Sequence, residues 1–185
     1  MFAAVAGLLL ATTYPPDPFA ADYQVPKLRE VGTTAGQVRL MGTGAVMYGA
    51  DGPLGPSLGL GGSGTFELMT FAFLGFRTTV EATVPPSGGV PWMVAARTGP
   101  CLHLLPYHRV DLSAYIEGGA AGFGLFGRAA AAAPMVTPGG SLDIWLDPVL
   151  FLRFDGHIDW SVNNFGSAGQ TYVQVVGGIG LGVGF

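Results

Sequence analysis

The amino-acid sequence predicts an all-β fold, an antiparallel up-and-down transmembrane β-barrel of about eight strands. Apolar residues make up 49% of the 185 residues and charged residues only 11%, where an average soluble domain has roughly 25% charged residues. No apolar run reaches the ~18 residues that a membrane-spanning helix needs, and the 31 glycines and 14 prolines disfavour helices. Several segments alternate apolar with polar or small residues, which is the pattern of a strand with two different faces.

Charge and cysteine content exclude several classes of function. The net charge is −4, and only eight lysines and arginines are scattered along the chain, which argues against nucleic-acid binding. Cys101 is the sole cysteine, so no internal disulfide and no Cys/His metal motif is expected. The glycines between 177 and 184 alternate with apolar residues and precede no lysine or helix, so they do not form a phosphate-binding loop. We therefore predict no cofactor, no bound metal and no catalytic residue.

The first 36 residues differ from the rest. Residues 1–11 (MFAAVAGLLLA) have the length of a signal-peptide apolar core, although no positive residue precedes them. Residues 12–36 contain four prolines and resemble an irregular leader. The apolar stretch is either part of a signal peptide or a hydrophobic tail of the mature protein. The predicted organisation is therefore a signal-like segment and leader at 1–36, followed by a barrel domain at 37–185.

Turn signals divide the barrel domain into eight predicted strands. Their approximate bounds are 37–48, 56–61, 65–84, 90–105, 110–124, 140–154, 157–163 and 170–185. The predicted short turns are a glycine-rich turn at 61–64, a tight turn at 106–108 and a two-residue hairpin at Asp155-Gly156. The longest predicted loop is 127–139. Long and short connections alternate, as in transmembrane barrels whose termini share one side of the membrane.

The predicted turn at 61–64 is the least defined. Residues 63–84 contain many apolar residues and only Gly75 as an internal breaker. This segment is compatible with one very long strand, with two short strands or with a helical piece. A barrel of ten strands, or of eight strands plus a short helix, therefore remains an alternative.

The last strand shows the alternation most clearly. Between Thr171 and Phe185 the odd positions are apolar, apart from Gly177, and the even positions are mostly small. The uncharged odd face suits contact with lipid, and the small even face suits the crowded interior of a barrel.

Charged residues in the other strands fall on one face, which we predict to point into the lumen. This predicted lumen network consists of Arg39, Glu67, Arg77, Glu81, Arg97, Glu117, Asp143, Asp147 and Arg153. Four arginines nearly balance five acids, and buried charges must be paired because an isolated buried charge is costly. We predict a salt-bridged plug. A narrow conduction path or a small-ligand pocket is the alternative.

His157, Asp159 and Ser161 share one face of a predicted strand and suggest a hydrolase. A nucleophilic serine must lie within hydrogen-bond reach of its histidine. Positions i and i+4 of a strand are ~13 Å apart at ~3.3 Å per residue, so His157 and Ser161 cannot pair directly. Polar residues of the barrel interior are the favoured interpretation.

The terminal strand carries a resemblance to a known family. Residues 172–185 alternate apolar positions and end in an aromatic residue, and this resembles the last strand of small outer-membrane β-barrel proteins of Gram-negative bacteria. The resemblance implies an outer-membrane location and contact with outer-membrane lipid. It also implies a signal for the barrel-insertion machinery, formed by Tyr172, Ile179, Leu181, Val183 and Phe185. Tryptophan and tyrosine are sparse at strand ends, where this family would have aromatic girdles.

The functional prediction is a non-enzymatic outer-membrane barrel with a structural or partner-binding role through its external loops. The chief candidate is the loop 125–140, which is small and apolar and suits burial against an envelope protein. Two alternatives stay open. One is a soluble β-sandwich subunit of an envelope or shell assembly, and the other is a lipid-modifying barrel enzyme.

Overall fold

The computed structural model describes residues 31–51, 57–84, 92–124, 131–163 and 170–185. They form eight strands: β1 Val38–Asp51, β2 Ser57–Met69, β3 Leu74–Val84, β4 Trp92–His103, β5 Val110–Gly124, β6 Ala131–Trp145, β7 Leu150–Asn163 and β8 Gln170–Gly184. Each strand pairs antiparallel with the next, and β8 pairs with β1 to close the barrel. The predicted fold is confirmed, with eight strands. The described ranges contain no helix that could span a membrane.

Side chains alternate between the lumen and the outside of the barrel. In β3, every second residue from Gly75 to Thr83 is buried and those between them are exposed. Among the strand residues whose side chains are described, those on the outer face carry no charge. The outward hydroxyls of Thr78 and Thr98 hydrogen-bond each other at 2.9 Å, and Thr98 also donates to the carbonyl oxygen of Arg77. The exterior is therefore apolar in composition, with its few polar groups largely satisfied.

The predicted turn at 61–64 is wrong. These residues lie inside β2, where Gly62 pairs with Gly44 and Gly64 pairs with Gly42 of β1. The chain instead turns at 70–73, where Phe71 and Leu74 exchange backbone hydrogen bonds of 2.9 and 3.2 Å. A Cβ at position 61 would collide with the backbone of β3, so that glycine serves close strand packing and not a turn.

The predicted loop 127–139 and the predicted hairpin at Asp155-Gly156 are also wrong. β6 begins at Ala131, so residues 131–140 of the proposed loop 125–140 are strand, and residues 125–130 lie outside the described residues. Asp155 and Gly156 lie within β7. The turn before β7 is 146–149, where the Asp147 carboxylate accepts the backbone N–H groups of Val149 and Leu150 at 2.7 Å each. This side-chain-to-backbone bonding is a strong turn signal.

Prolines explain why β6 has the appearance of a loop. Pro134 and Pro138 lie on the outer face of β6, and the β6–β7 ladder omits the pairs Thr137 with Asp159 and Pro138 with Ile158. A proline inside a strand removes one ladder hydrogen bond but keeps an extended φ. The barrel tolerates this loss because β6 remains paired with β5 along its whole length.

The two ends of the barrel differ. β1 begins and β8 ends at one end, here called the terminal end, which also carries the turns 70–73, 104–109 and 146–149. Residues 31–37 lie across the terminal end and precede β1. The connections at the opposite end, 52–56, 85–91, 125–130 and 164–169, lie outside the described residues, as do residues 1–30 with the predicted signal-like segment.

Candidate functional site: the charged lumen

The lumen half near the terminal end contains a cluster of buried charges, here called the terminal tier. Arg153 on β7 donates to both carboxylate oxygens of Asp143, at 2.6 and 2.7 Å, and to both of Glu67, at 2.6 and 3.3 Å. Arg39 on β1 pairs with Glu67 at 3.0 Å and also with Asp143. All four side chains are at most 1% exposed. The tier therefore joins β1, β2, β6 and β7 across the lumen.

A second cluster, here called the outer tier, lies farther from the terminal end. Its centre is Arg97 on β4, which pairs with Glu81 at 2.5 Å, Asp159 at 3.1 Å and Glu117 at 3.2 Å. Asp159 also accepts hydrogen bonds from Thr137 and Gln174, at 2.7 Å each. One guanidinium thus holds carboxylates from three other strands.

Arg77 connects the two tiers, because nitrogens of its guanidinium group lie 3.6 Å from a carboxylate oxygen of each tier. Arg77 pairs with Asp155 at 3.0 Å and lies over the Tyr115 ring, 3.8 Å from its centroid. His157 contacts Asp155 through Nδ1 at 2.9 Å and the outer tier through Nε2. In the terminal tier, the Nδ1 atom of His103 lies 2.5 Å from Asp111.

Apolar side chains cover both ends of this network. Towards the opposite end the layer consists of Met93, Ala95, Ala121, Ala133 and Met135, with Tyr172 packed against it. At the terminal end it consists of Met41, Trp145 and Phe151, with Val31 packed against them. The charges are therefore enclosed both by the barrel wall and by these two layers.

The structure places eight of the nine charges predicted for the lumen inside it; the exception is Asp147. Asp147 is exposed in the turn 146–149, and hydrogen bonds from the backbone of Leu150 and Val149 lower the pKa of its carboxyl. The predicted network does not contain five further lumen residues, of which His157 and Asp159 were predicted separately as interior polar residues: His103, Asp111, Asp155, His157 and Asp159. The sequence did carry a signal for them, since they occupy the alternate strand positions that face the lumen. Asp155 was missed because it was assigned to the incorrect hairpin. Among the described residues, the lumen holds four arginines and seven carboxylates.

The geometry does not assemble a hydrolase from His157 and Ser161. The nitrogens of His157 contact Asp155, Glu81 and Arg97, and the Ser161 hydroxyl has no hydrogen-bond partner. A serine nucleophile requires its base within hydrogen-bond distance. These residues are therefore polar side chains of the barrel interior, which is the interpretation favoured by the sequence.

Three groups of histidine, cysteine and acid in the described ranges lie close enough to share a cation. In the group formed by Glu81, His157 and Asp159, however, the Arg97 Nη2 atom lies 2.5 Å from Glu81 Oε2 and 2.9 Å from His157 Nε2. In the other two groups, Glu67 and Asp143 are already paired with arginines. Arginine thus supplies the positive charge that a metal would otherwise bring.

The residues of the predicted insertion signal do not share one face of the barrel, because four of them face outward and Tyr172 faces the interior. Ile179, Leu181 and Phe185 are exposed on the outer face, and Val183 shares that face. Tyr172 instead packs against the apolar layer inside the barrel and donates a hydrogen bond to Gln174 Oε1 at 2.7 Å. Recognition by an insertion machinery stays a prediction.

No protein-family model and no curated protein matches this sequence. Among solved structures, the chain is similar to Neisserial surface protein A, with a TM-score of 0.63 and 11% identity over 79% of this chain and 96% of that one. It is also similar to the outer membrane protein OprG from Pseudomonas aeruginosa, with a TM-score of 0.58 and 11% identity over 83% and 98% of the chains. A third is Ail, the attachment invasion locus protein of Yersinia pestis, with a TM-score of 0.53 and 13% identity over 82% and 100%.

Identities this low establish the fold and not a shared activity. Each of these structures aligns over nearly its full length with the closed eight-stranded barrel described above. The chain has the fold of the small bacterial outer-membrane β-barrel proteins.

Proposed function

We propose that this protein is a non-enzymatic β-barrel of the bacterial outer membrane, in which a rigid barrel supports partner-binding connections at the end opposite its termini. The observation that carries the proposal is the uncharged outer face of the described strands. Large apolar side chains such as Leu60, Val80 and Ile179 are more than half exposed on this face. A continuous apolar surface of this size is unstable in water and is the surface that a lipid-facing barrel requires.

The filled lumen favours a barrel that acts as a rigid scaffold for its connections over a barrel that transports solutes. Guanidinium groups of Arg39, Arg77, Arg97 and Arg153 bridge the interior, and apolar layers lie beyond them at both ends. An eight-stranded barrel has room only for its own side chains. The narrow conduction path considered above is therefore disfavoured.

Ion conductance in planar lipid bilayers tests this point. The folded wild-type protein is expected to give no conductance steps. Arg97→Ala serves as the comparison. It removes the guanidinium group that bridges the outer tier and so opens space in the lumen, while the strand pairing of the barrel stays unchanged. Regular conductance steps from the wild-type protein would contradict the filled-lumen account.

Partner binding is tested at the connection 125–130, the part of the proposed loop 125–140 that lies outside the described residues. We expect replacement of these six residues by a Gly-Ser sequence of equal length to leave the barrel folded and to abolish cross-linking to an envelope partner. The matched control replaces the turn 104–109 at the terminal end. Cross-linking that persists with 125–130 replaced, or that is lost equally in the control, would refute a role for this connection.

The two alternatives fare differently. A β-sandwich is excluded because β8 pairs with β1 to close a single barrel. For a lipid-modifying enzyme, the described residues offer no serine or histidine in a catalytic arrangement. Assay of the purified barrel for release of fatty acids from outer-membrane lipid tests that alternative, and we expect no release.

A further inference from the structure

Four glycines at outward-facing positions make a depression in the outer face of the barrel, and we refer to them as the glycine patch. Gly42 of β1 pairs with Gly64 of β2, and Gly44 pairs with Gly62 in the same ladder. A Cβ built at Gly42, Gly44 or Gly64 would meet nothing within 4 Å. The backbone of β1 and β2 is therefore bare on this part of the outer face.

Large apolar side chains from four strands stand around the patch and bound a groove of about 500 Å³, whose floor includes Gly42 and Gly64. These side chains are Leu40, Phe66, Val80, Leu181 and Val183. The groove crosses β8, β1 and β2 in the half of the barrel nearer the terminal end. It is thus a concave site within a face that is otherwise covered by side chains.

The lining of the groove selects an apolar occupant. The Thr78 hydroxyl already pairs with Thr98 at 2.9 Å, and the Thr65 hydroxyl faces the lumen, 3.3 Å from that of Thr79. The backbone of the floor is engaged in the ladders of β1 with β2 and β8. A polar ligand would lose its hydration here without gaining a hydrogen bond in return.

A second copy of the barrel fits this groove poorly. The subunits of a two-fold symmetric dimer meet through the same patch on both partners, so one depression would face the other and leave a void. A void loses the dispersion contacts of its walls. A flexible hydrocarbon chain can follow the bare backbone of the floor and contact the walls on both sides.

We propose that the groove binds one acyl chain of a phospholipid from the membrane leaflet at the terminal end. This inference rests on the proposed lipid-facing role of the outer face and deepens it. Lipid tails are as apolar as the groove, so the preference for this site comes from packing. Because strands of such barrels are tilted by roughly 35–45°, a chain that crosses them is inclined to its neighbours and moves less.

Filling the groove from its floor tests the proposal without altering the walls. Gly64→Leu and Gly42→Leu each add a side chain where a Cβ has open space. Gly118→Leu is the matched control, because Gly118 lies at an exposed position of β5, across the barrel from β1, and a Cβ there also meets nothing within 4 Å.

The folded barrel in detergent is mixed with palmitoyl-oleoyl phosphatidylethanolamine and examined by native mass spectrometry. We expect one retained lipid on the wild type and on Gly118→Leu, and at least tenfold less retention on Gly64→Leu and Gly42→Leu. In vesicles, electron paramagnetic resonance of a chain-labelled phospholipid should show one fewer motionally restricted lipid per barrel for the two groove variants. The gel shift on boiling verifies that each variant is folded.

Three results would overturn the proposal. One is a folded wild type that inserts into vesicles but retains no lipid, and another is equal retention by the groove variants and the control. Both would leave the lipid-facing barrel intact. The third is a dimer that Gly64→Leu abolishes, which would identify a second copy as the occupant. Failure of the wild type to insert into vesicles would refute the proposed function itself, and this inference with it.

Discussion

At the scale of single residues, each lumen arginine is held by carboxylates from several strands. Arg153 illustrates the energetics, because its guanidinium satisfies both oxygens of Asp143 and both of Glu67. Such a network adds little net stability over an apolar core, since each ion loses its hydration. Removing one member is costly, because its partners then remain buried without full compensation.

Arg153→Leu should lower the free energy of unfolding by about 3–5 kcal/mol, because two buried carboxylates lose their main cation. Urea unfolding of the barrel in lipid vesicles measures this change. Arg109→Leu, at an exposed position of the turn 104–109, is the control and should have little effect. Adding Glu67→Gln to Arg153→Leu should recover part of the loss. An unchanged unfolding free energy for Arg153→Leu would refute the paired-charge account.

The sequence predicts these residues through the parity of positions along each strand. Parity succeeds for Asp143 and Arg153 even though the predicted strand 140–154 is wrong, because the four-residue turn 146–149 between β6 and β7 leaves the odd positions inward on both sides. It fails for Asp147, because every second residue after Trp145 was assigned to the lumen although β6 ends at Trp145 and Asp147 lies in the turn 146–149. Which arginine meets which acid depends on the register across the closed barrel, and the pattern within one strand does not contain that information.

At the scale of one element, β8 shows how glycines fit the two faces of a strand. Gly182 faces the lumen, where a Cβ would collide with the ring of Phe151. Gly177 faces outward, and a Cβ there would meet nothing within 4 Å. The same residue type is thus required for space at one position and is replaceable at the other.

Gly182→Val should destabilise the barrel by about 1–3 kcal/mol, because Phe151 must leave its position in the packed interior. Gly177→Val, in the same strand, should change stability by no more than about 0.5 kcal/mol. Both are compared by urea unfolding in vesicles. Equal effects of the two substitutions would show that the assigned faces of β8 are incorrect.

Turns were harder to predict than strands at this scale. Glycine and proline end strands in most soluble proteins, and that rule produced the incorrect turn at 61–64 and the incorrect loop 127–139. In this barrel, glycines such as Gly61 permit close strand packing, and Pro138 lies in a strand whose other edge is fully paired. The correct turn 146–149 is marked by Asp147 hydrogen bonds, and the sequence shows the aspartate but not its partners.

At the scale of the whole molecule, the distribution of polar and apolar side chains is the reverse of that in a soluble protein. Charged side chains of the described strands point into the lumen, and the outer face is uncharged. The alternation and the low charge content were sufficient to predict this arrangement and the closed barrel. The path of residues 31–37 across the terminal end emerged only when distant strands were brought together, whereas the five additional lumen residues follow the same parity along their strands as the predicted ones.

A closed barrel with an uncharged outer face is expected to contact lipid over that face. The most direct measurement follows the protein in membranes of expressing Gram-negative cells, by carbonate extraction and by gel electrophoresis in SDS with and without boiling. The protein is expected to resist carbonate, to require detergent and to migrate differently before and after boiling, because a closed barrel stays folded in SDS until heated. A protein that is released by carbonate and migrates identically in both samples would contradict the claim.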